Sequence, residues 1–163
     1  MKKQFPLILL LLLVPTITFA QRLPSTVVPG HYEIWLNPDL RTNRLQGKES
    51  ISVDLKTRMQ SILLHNVDLS ITRAEFISDE KRWKATPLIQ KETEIVELKF
   101  PSALPAGSGK LEIEFEGKLR NDLRGLYAIE TSYGRYAATQ FEGTYARMMI
   151  PCFDEPEFKA TIF

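Results

Sequence analysis

From His31 onward, apolar residues recur at every second position, and this period constrains the fold more than any other feature of the sequence. The clearest run, residues 111–116, alternates Leu, Ile and Phe with three glutamates, Glu112, Glu114 and Glu116. Because successive side chains of a strand point to opposite faces, this run predicts a half-buried strand with a solvated acidic face. Similar runs cover residues 32–36, 49–56, 61–64, 69–77, 93–100 and 136–141.

Turn-forming residues separate these runs, as at Asn37-Pro38-Asp39 and from Leu104 to Gly109. Short strands divided by turns, with no long segment of helical period, are typical of a sandwich. We therefore predict an all-β fold over residues 21–163, an antiparallel β-sandwich. The last residues, Ala160 to Phe163, are strand-like and lack a turn or charged tail, which predicts that the sandwich is truncated at its C-terminal end.

The first twenty residues have the features of a signal peptide. Lys2 and Lys3 precede an unbroken apolar run from Leu7 to Val14, and small residues at Thr18 and Ala20 suit cleavage after Ala20. The apolar run is shorter than the roughly 20 residues that span a bilayer. The pattern predicts export to the periplasm or the medium after removal of residues 1–20. An uncleaved signal anchor is the alternative.

The sequence contains no recognisable catalytic or metal-binding motif. Its two histidines, His31 and His65, lie in strand-like segments far in sequence from the only cysteine, Cys152, so no nucleophile and base are indicated. There is no His-Glu-x-x-His and no Cys-x-x-Cys. We interpret both histidines as structural and Cys152 as a buried apolar residue. The formal net charge of +1 predicts no nucleic-acid partner.

Three acidic residues near the end of the chain have different interpretations. Asp154 and Glu155 are adjacent, and we predict a turn in which Asp154 bonds to local backbone ahead of Pro156. Glu142 follows the run 136–141 and precedes a glycine, a position from which a scaffold can offer a carboxylate to a cation. By chemistry alone, an ordinary surface glutamate remains the simpler interpretation of Glu142.

The closing stretch also resembles a known family. The motifs are Thr139-Gln140-Phe141-Glu142, Ala146-Arg147 and Pro151-Cys152-Phe153-Asp154-Glu155-Pro156. Together they resemble the N-terminal domain of zinc aminopeptidases of the aminopeptidase N family, and Pro29-Gly30-His31-Tyr32 is similar to its opening segment. The chain departs from that pattern at Tyr145, where the family commonly has Asp, and at Ile150 and Glu157.

This resemblance implies a saddle-like β-sandwich that packs beside its own catalytic domain, which would carry the zinc ion. It implies that Glu142 binds the free α-amino group of peptide substrates, while Gln140 lines the pocket for the first side chain. It further implies that Arg147 braces the nearby loop through ion pairs. Residues 1–163 contain no catalytic residue of the family and no zinc ligand, so this chain alone is expected to be inactive.

Three functions remain open. The first is the N-terminal part of an exported zinc metalloaminopeptidase that hydrolyses N-terminal residues from peptides. The second is a leukotriene-A4-hydrolase-like epoxide hydrolase, against which Glu142 counts because that subgroup tends to carry glutamine there. The third is a non-catalytic β-sandwich interaction module of a pseudoenzyme. A His-Glu-x-x-His motif beyond residue 163 would separate the first function from the third.

Overall fold

Strands make up most of residues 22–163, the part of the chain that this computed structural model describes. The predicted signal peptide, residues 1–20, lies outside the described residues. Two short 3₁₀ turns, Lys91–Thr93 and Ala146–Met148, accompany the strands. In chain order the strands are β1 (Val27–Asp39), β2 (Arg44–Leu55), β3 (Met59–His65), β4 (Ser70–Ser78), β5 (Lys81–Lys84), β6 (Thr86–Gln90), β7 (Ile95–Leu104), β8 (Gly107–Lys118), β9 (Gly125–Thr131), β10 (Gly134–Gln140) and β11 (Thr161–Ile162).

The strands form three sheets. The largest has the order β11-β1-β2-β8-β4-β5, the second has the order β3-β7-β6, and β9 and β10 pair as a hairpin. Neighbouring strands are antiparallel, apart from β11, which runs parallel to β1. The predicted all-β, sandwich-like fold is therefore confirmed, with one parallel pair at the edge of the six-stranded sheet.

The core forms where the six-stranded and three-stranded sheets face each other. On β2 and β8 every second side chain is buried, which is the pattern that predicted these strands. Phe76 of β4 meets Phe100 of β7 edge to face, with ring centroids 6.4 Å apart, and so joins the two sheets. Both rings are buried, and each such side chain contributes on the order of 1.5–3 kcal/mol through removal from water.

The alternation missed the strands that bury little. In β5 and β6 no residue is fully buried, so neither shows a clear two-residue pattern. β9 was not predicted either, because its buried residues are the three consecutive ones at its start and do not alternate. The turn predicted over residues 104–109 is shorter than expected, because β7 continues to Leu104 and β8 begins at Gly107. Gly107 has φ +109°, a conformation that glycine adopts at little cost.

The acidic face of β8 is partly exposed and carries cross-strand ion pairs. Glu112 accepts a hydrogen bond from Arg82 on β5 at 3.1 Å, and Glu114 lies 3.6 Å from Lys48 on β2. Glu116 is exposed. The prediction of a polar outer face is confirmed, and its acids are balanced by basic residues of neighbouring strands.

One core position carries a carboxyl group. Glu49 lies on the inward face of β2, between Ile34 of β1 and Ile113 of β8, and is only 4% exposed. Neither of its side-chain oxygens has a hydrogen-bond partner among the described residues. Burial therefore raises the pKa of Glu49 well above its usual value of 4.5, because the charged form loses its hydration.

Gly47 is expected to be intolerant of any side chain. A Cβ atom at this position would lie 2.2 Å from the ring of Phe115, which is 2% exposed, so this buried ring would have to shift. We expect Gly47→Ala to lower the free energy of unfolding by about 1–3 kcal/mol, measured by urea denaturation. Gly30→Ala is the control, because the nearest atom to its added Cβ is 3.8 Å away. Equal stability of the two variants would contradict this packing.

Candidate functional site

The β9–β10 hairpin leads into the candidate site. β9 packs on the body of the protein through Leu126 and Tyr127, both buried. β10 has no buried residue, so it stands away from the core. Its last residue, Gln140, pairs with Gly125 at the start of β9. The hairpin therefore presents Gln140 and the loop that follows it on the surface of the described domain.

Glu142 lies in that loop, two residues beyond the end of β10. Its side chain is exposed, and none of the ion pairs within residues 22–163 includes its carboxylate. Gly143 follows with φ +61°, the left-handed conformation that lets the chain turn sharply after the acid. The structure thus places Gln140 and Glu142 near one another, with Glu142 free to meet a cationic group.

Arg147, just after the loop, is the most strongly paired residue near the site. It is 8% exposed, and its Nε atom donates to Asp154 Oδ2 at 3.0 Å. Its Nη1 atom donates to Glu94 Oε2 at 3.0 Å. The predicted ion pairs of Arg147 are confirmed. Neither partner was predicted by name, and Glu94 is also distant in sequence, in the segment that leads into β7.

The acids of the Phe153–Pro156 motif bind different partners. The Asp154 carboxylate does bond to backbone, but to the amide of Arg147 seven residues earlier, at 3.4 Å, and it also accepts from Arg147 Nε at 3.0 Å. Glu155 Oε1 accepts a hydrogen bond from the backbone of Leu23 at 3.0 Å. Around Asp154 the chain turns, since Glu155 N donates to Phe153 O at 2.9 Å, and a second turn follows, where Phe158 N donates to Glu155 O at 3.1 Å. These contacts give both acids a structural role.

Cys152 and His65, remote in sequence, form an isolated β-bridge. Their backbones exchange hydrogen bonds of 2.8 and 3.0 Å, which places the two residues directly opposite each other. No sequence pattern predicted this pairing. Burial raises the pKa of the Cys152 thiol, while burial and the charge of Arg147 lower the pKa of His65. Both groups are therefore neutral, and the buried thiol that we predicted is not a nucleophile.

No cluster of three or more His, Cys, Asp or Glu side chains able to hold a metal occurs within the described residues. Residues 22–163 also contain no helix long and apolar enough to cross a bilayer. The candidate site consequently consists of an amide, Gln140, at the end of the hairpin and an exposed carboxylate, Glu142, in the loop that follows it. This arrangement can bind and orient a ligand, and it supplies neither a nucleophile nor a metal.

These features define a sandwich-like, all-β domain with an exposed carboxylate, Glu142, in the loop that follows its β9–β10 hairpin. The family model of the peptidase M1 N-terminal domain matches residues 28–163. The chain belongs to that family, and the resemblance seen in its motifs is confirmed.

Three aminopeptidases illustrate the relationship. The chain is 37% identical over 143 residues to Aminopeptidase M1-D of Oryza sativa subsp. japonica. It is 36% identical over 151 residues to Endoplasmic reticulum aminopeptidase 2 of Homo sapiens, and 32% identical over 149 residues to Puromycin-sensitive aminopeptidase of Caenorhabditis elegans. Each match covers 85–86% of this chain but only 16% of the relative. The chain therefore spans about one sixth of the length of these relatives.

Proposed function

We propose that this chain is the N-terminal part of an exported zinc metalloaminopeptidase that removes N-terminal residues from peptides. In this proposal Glu142 binds the protonated α-amino group of the substrate, and Gln140 lines the pocket for the first side chain. The observation that carries the proposal is the exposed carboxylate of Glu142 at the end of a hairpin, in a chain related to aminopeptidases.

The chemistry of an exopeptidase suits such a carboxylate. A protonated amine is a compact cation, and a charge-assisted hydrogen bond to a fixed carboxylate defines where the peptide begins. An internal segment or a blocked N-terminus would leave Glu142 unpaired in a partly dry cleft, which costs free energy. Glu142 would therefore favour substrates with a free amine and fix their first residue for cleavage.

Residues 22–163 do not fit a zinc site, since no suitable cluster of ligands exists among them. In the proposal, zinc belongs to a catalytic domain outside this sequence. In the same proposal, that catalytic domain is the partner of this chain, and Gln140 and Glu142 face it. Bound zinc supplies Lewis-acid activation of the scissile carbonyl and of a water molecule. The role of this chain is confined to binding and orienting the peptide.

The proposed location follows from the N-terminal leader. Residues 1–20 carry the positive, apolar and small-residue regions of a signal peptide, which supports export. Fusion of residues 1–25 to a reporter enzyme would test this directly, with periplasmic or secreted activity as the expected result. Retention of the reporter in the cytoplasm would contradict export without affecting the proposed activity.

The activity is tested with the longer protein that this proposal implies, in which the catalytic domain follows this chain. The paired substrates differ only in whether their α-amino group is free or acetylated. We expect hydrolysis of an aminoacyl p-nitroanilide, at least a hundredfold slower hydrolysis of its N-acetyl form, and loss of activity after metal removal by a chelator. Zinc should restore the activity. The 163-residue chain alone should be inactive in the same assay. Equal rates on the free and acetylated substrates would overturn the proposed recognition of the amine.

A further inference from the structure

We propose that Arg147 is a positioning residue for Glu142, because it holds closed the loop 141–145 from which Glu142 projects. The role of Glu142 toward an amine rests on the function proposed above. The closure of the loop does not, and it can be tested separately. Two contacts at the base of the loop and one contact on the loop itself carry the inference.

The first contact brings the two ends of the loop together at Gly125. Gln140, just before the loop, pairs with Gly125 in the β9–β10 ladder. Met148, just after the loop, packs against the same glycine, because a Cβ atom added at Gly125 would lie 2.6 Å from Met148 Cβ. Gly125 has φ +64°, which also favours glycine. The loop is therefore closed at a narrow base with no room for a side chain.

The second contact fixes the C-terminal end of the loop to the body of the protein. The guanidinium of Arg147 reaches Glu94 and Asp154, both at 3.0 Å, and also donates to the carbonyl oxygen of Asp154 at 3.1 Å. The carbonyl oxygen of Arg147 accepts from Val67 N at 2.9 Å. Both the side chain and the backbone of Arg147 are thus tied to segments beside the three-stranded sheet.

The third contact lies on the loop. The guanidinium of Arg124 stands over the ring of Tyr145, 5.7 Å from the ring centroid. Arg124 is held in turn by Asp122, with Nη2 to Oδ2 at 2.6 Å. Tyr145 is the position at which this chain departs from the commonest residue of the family, and the structure gives the aromatic ring a cationic partner. The loop is therefore held before Glu142 by the pairing of Gln140, and after Glu142 by the contacts of Tyr145 and Arg147.

The closure is tested with a spin label at position 142. Cys152 is buried and its thiol pKa is raised, so a single new cysteine from Glu142→Cys can be labelled selectively. We expect Arg147→Gln to shorten the rotational correlation time of the label about threefold or more, as a restrained loop becomes a flexible one. Tyr133→Cys, at a hairpin position 91% exposed, provides the control label.

The two labels separate the possible outcomes. A change at position 142 without a change at position 133 supports the proposal. No change at position 142, or equal changes at both positions, overturns it, because Arg147 would then act on the whole domain or not on the loop. If Arg147→Gln does not fold, Glu94→Gln replaces it, since the Glu94 side chain is 44% exposed and its change removes one ion pair of Arg147 while leaving the pair with Asp154.

A kinetic cycle in the longer protein tests the consequence for substrate binding. In the natural background, Arg147→Gln should raise KM for free-amine substrates about tenfold. In the Glu142→Ala background, the same substitution should raise KM less than about twofold. If the increase in KM of the double variant equals the product of the increases of the two single variants, Arg147 does not act through Glu142. If Glu142→Ala alone has no effect, the proposed function fails, while the spin-label result still decides whether Arg147 orders the loop.

Discussion

Replacing Glu142 with alanine is expected to lower kcat/KM for free-amine peptides by about 10- to 1000-fold in the longer protein, equivalent to about 1–4 kcal/mol. The carboxylate is exposed in this chain and free of ion pairs within the described residues, so its removal leaves no buried partner and no packing defect. The loss should therefore appear in catalysis and not in the free energy of unfolding. Steady-state kinetics with aminoacyl p-nitroanilides measures it.

Matched variants sharpen this prediction. Glu130→Ala removes another exposed carboxylate, from β9, and should leave kcat/KM unchanged. Glu142→Gln should give an intermediate loss, because the amide still accepts a hydrogen bond but carries no charge. Gln140→Ala should alter the preference among first side chains more than the preference for a free amine. An unchanged kcat/KM in folded Glu142→Ala would remove Glu142 from the site.

In the natural chain, the free energy of unfolding is expected to fall as pH rises, because of Glu49. Replacing Glu49 with glutamine is expected to abolish this fall. Burial raises the folded-state pKa of Glu49 above the usual value of 4.5, so the folded protein keeps a proton that the unfolded chain releases. Stability therefore falls with increasing pH above about 4.5, until the folded-state pKa is reached. The slope approaches about 1.4 kcal/mol per pH unit within that window.

Other titrating groups do not obscure this effect. Burial raises the pKa of the neighbouring Tyr32 and of Cys152 above their usual values, so both stay neutral through the window. The lowered pKa of His65 reduces stability as pH falls below about 6.5, which is the opposite direction, and it does so in both proteins. The difference between the natural chain and Glu49→Gln therefore reports on Glu49.

The measurement is urea unfolding between pH 5 and pH 8. The two stability curves should diverge as pH rises, with the variant the more stable at pH 8. Glu116→Gln, which neutralises an exposed acid on the adjacent strand, should follow the natural chain. Parallel curves for the natural chain and Glu49→Gln would show that Glu49 is not a desolvated acid in the folded state.

Burial on one face is what made the strands predictable from the sequence. The run 111–116 alternates because β8 lies at the centre of a sheet with one face on the core, and β2 follows the same rule. β5 and β6 have little buried surface, so nothing constrains their sequence to alternate. Glu49 could have been placed in the core from its spacing to Ile51, yet its protonation depends on the three-dimensional environment.

The candidate site was less accessible to sequence reasoning than the fold. Chemistry alone favoured an ordinary surface residue at position 142, and only the resemblance to a family favoured a ligand contact. The contacts of Arg147 with Glu94, and of His65 with Cys152, join segments that are distant in sequence. No local pattern encodes such pairs, because they depend on how the C-terminal segment is placed against the three-stranded sheet.

The place of β8 in the six-stranded sheet also has a consequence for how the protein is made. β2 and β4 both pair with β8 and not with each other, although they precede it in the chain. Until residue 118 has left the ribosome, the central strand of the sheet is incomplete and β4 has no neighbour on that side. Non-local pairing of this kind slows folding and leaves strand edges open to other chains. The edges of β2 and β4 that face β8 therefore stay unpaired until β8 has been synthesised.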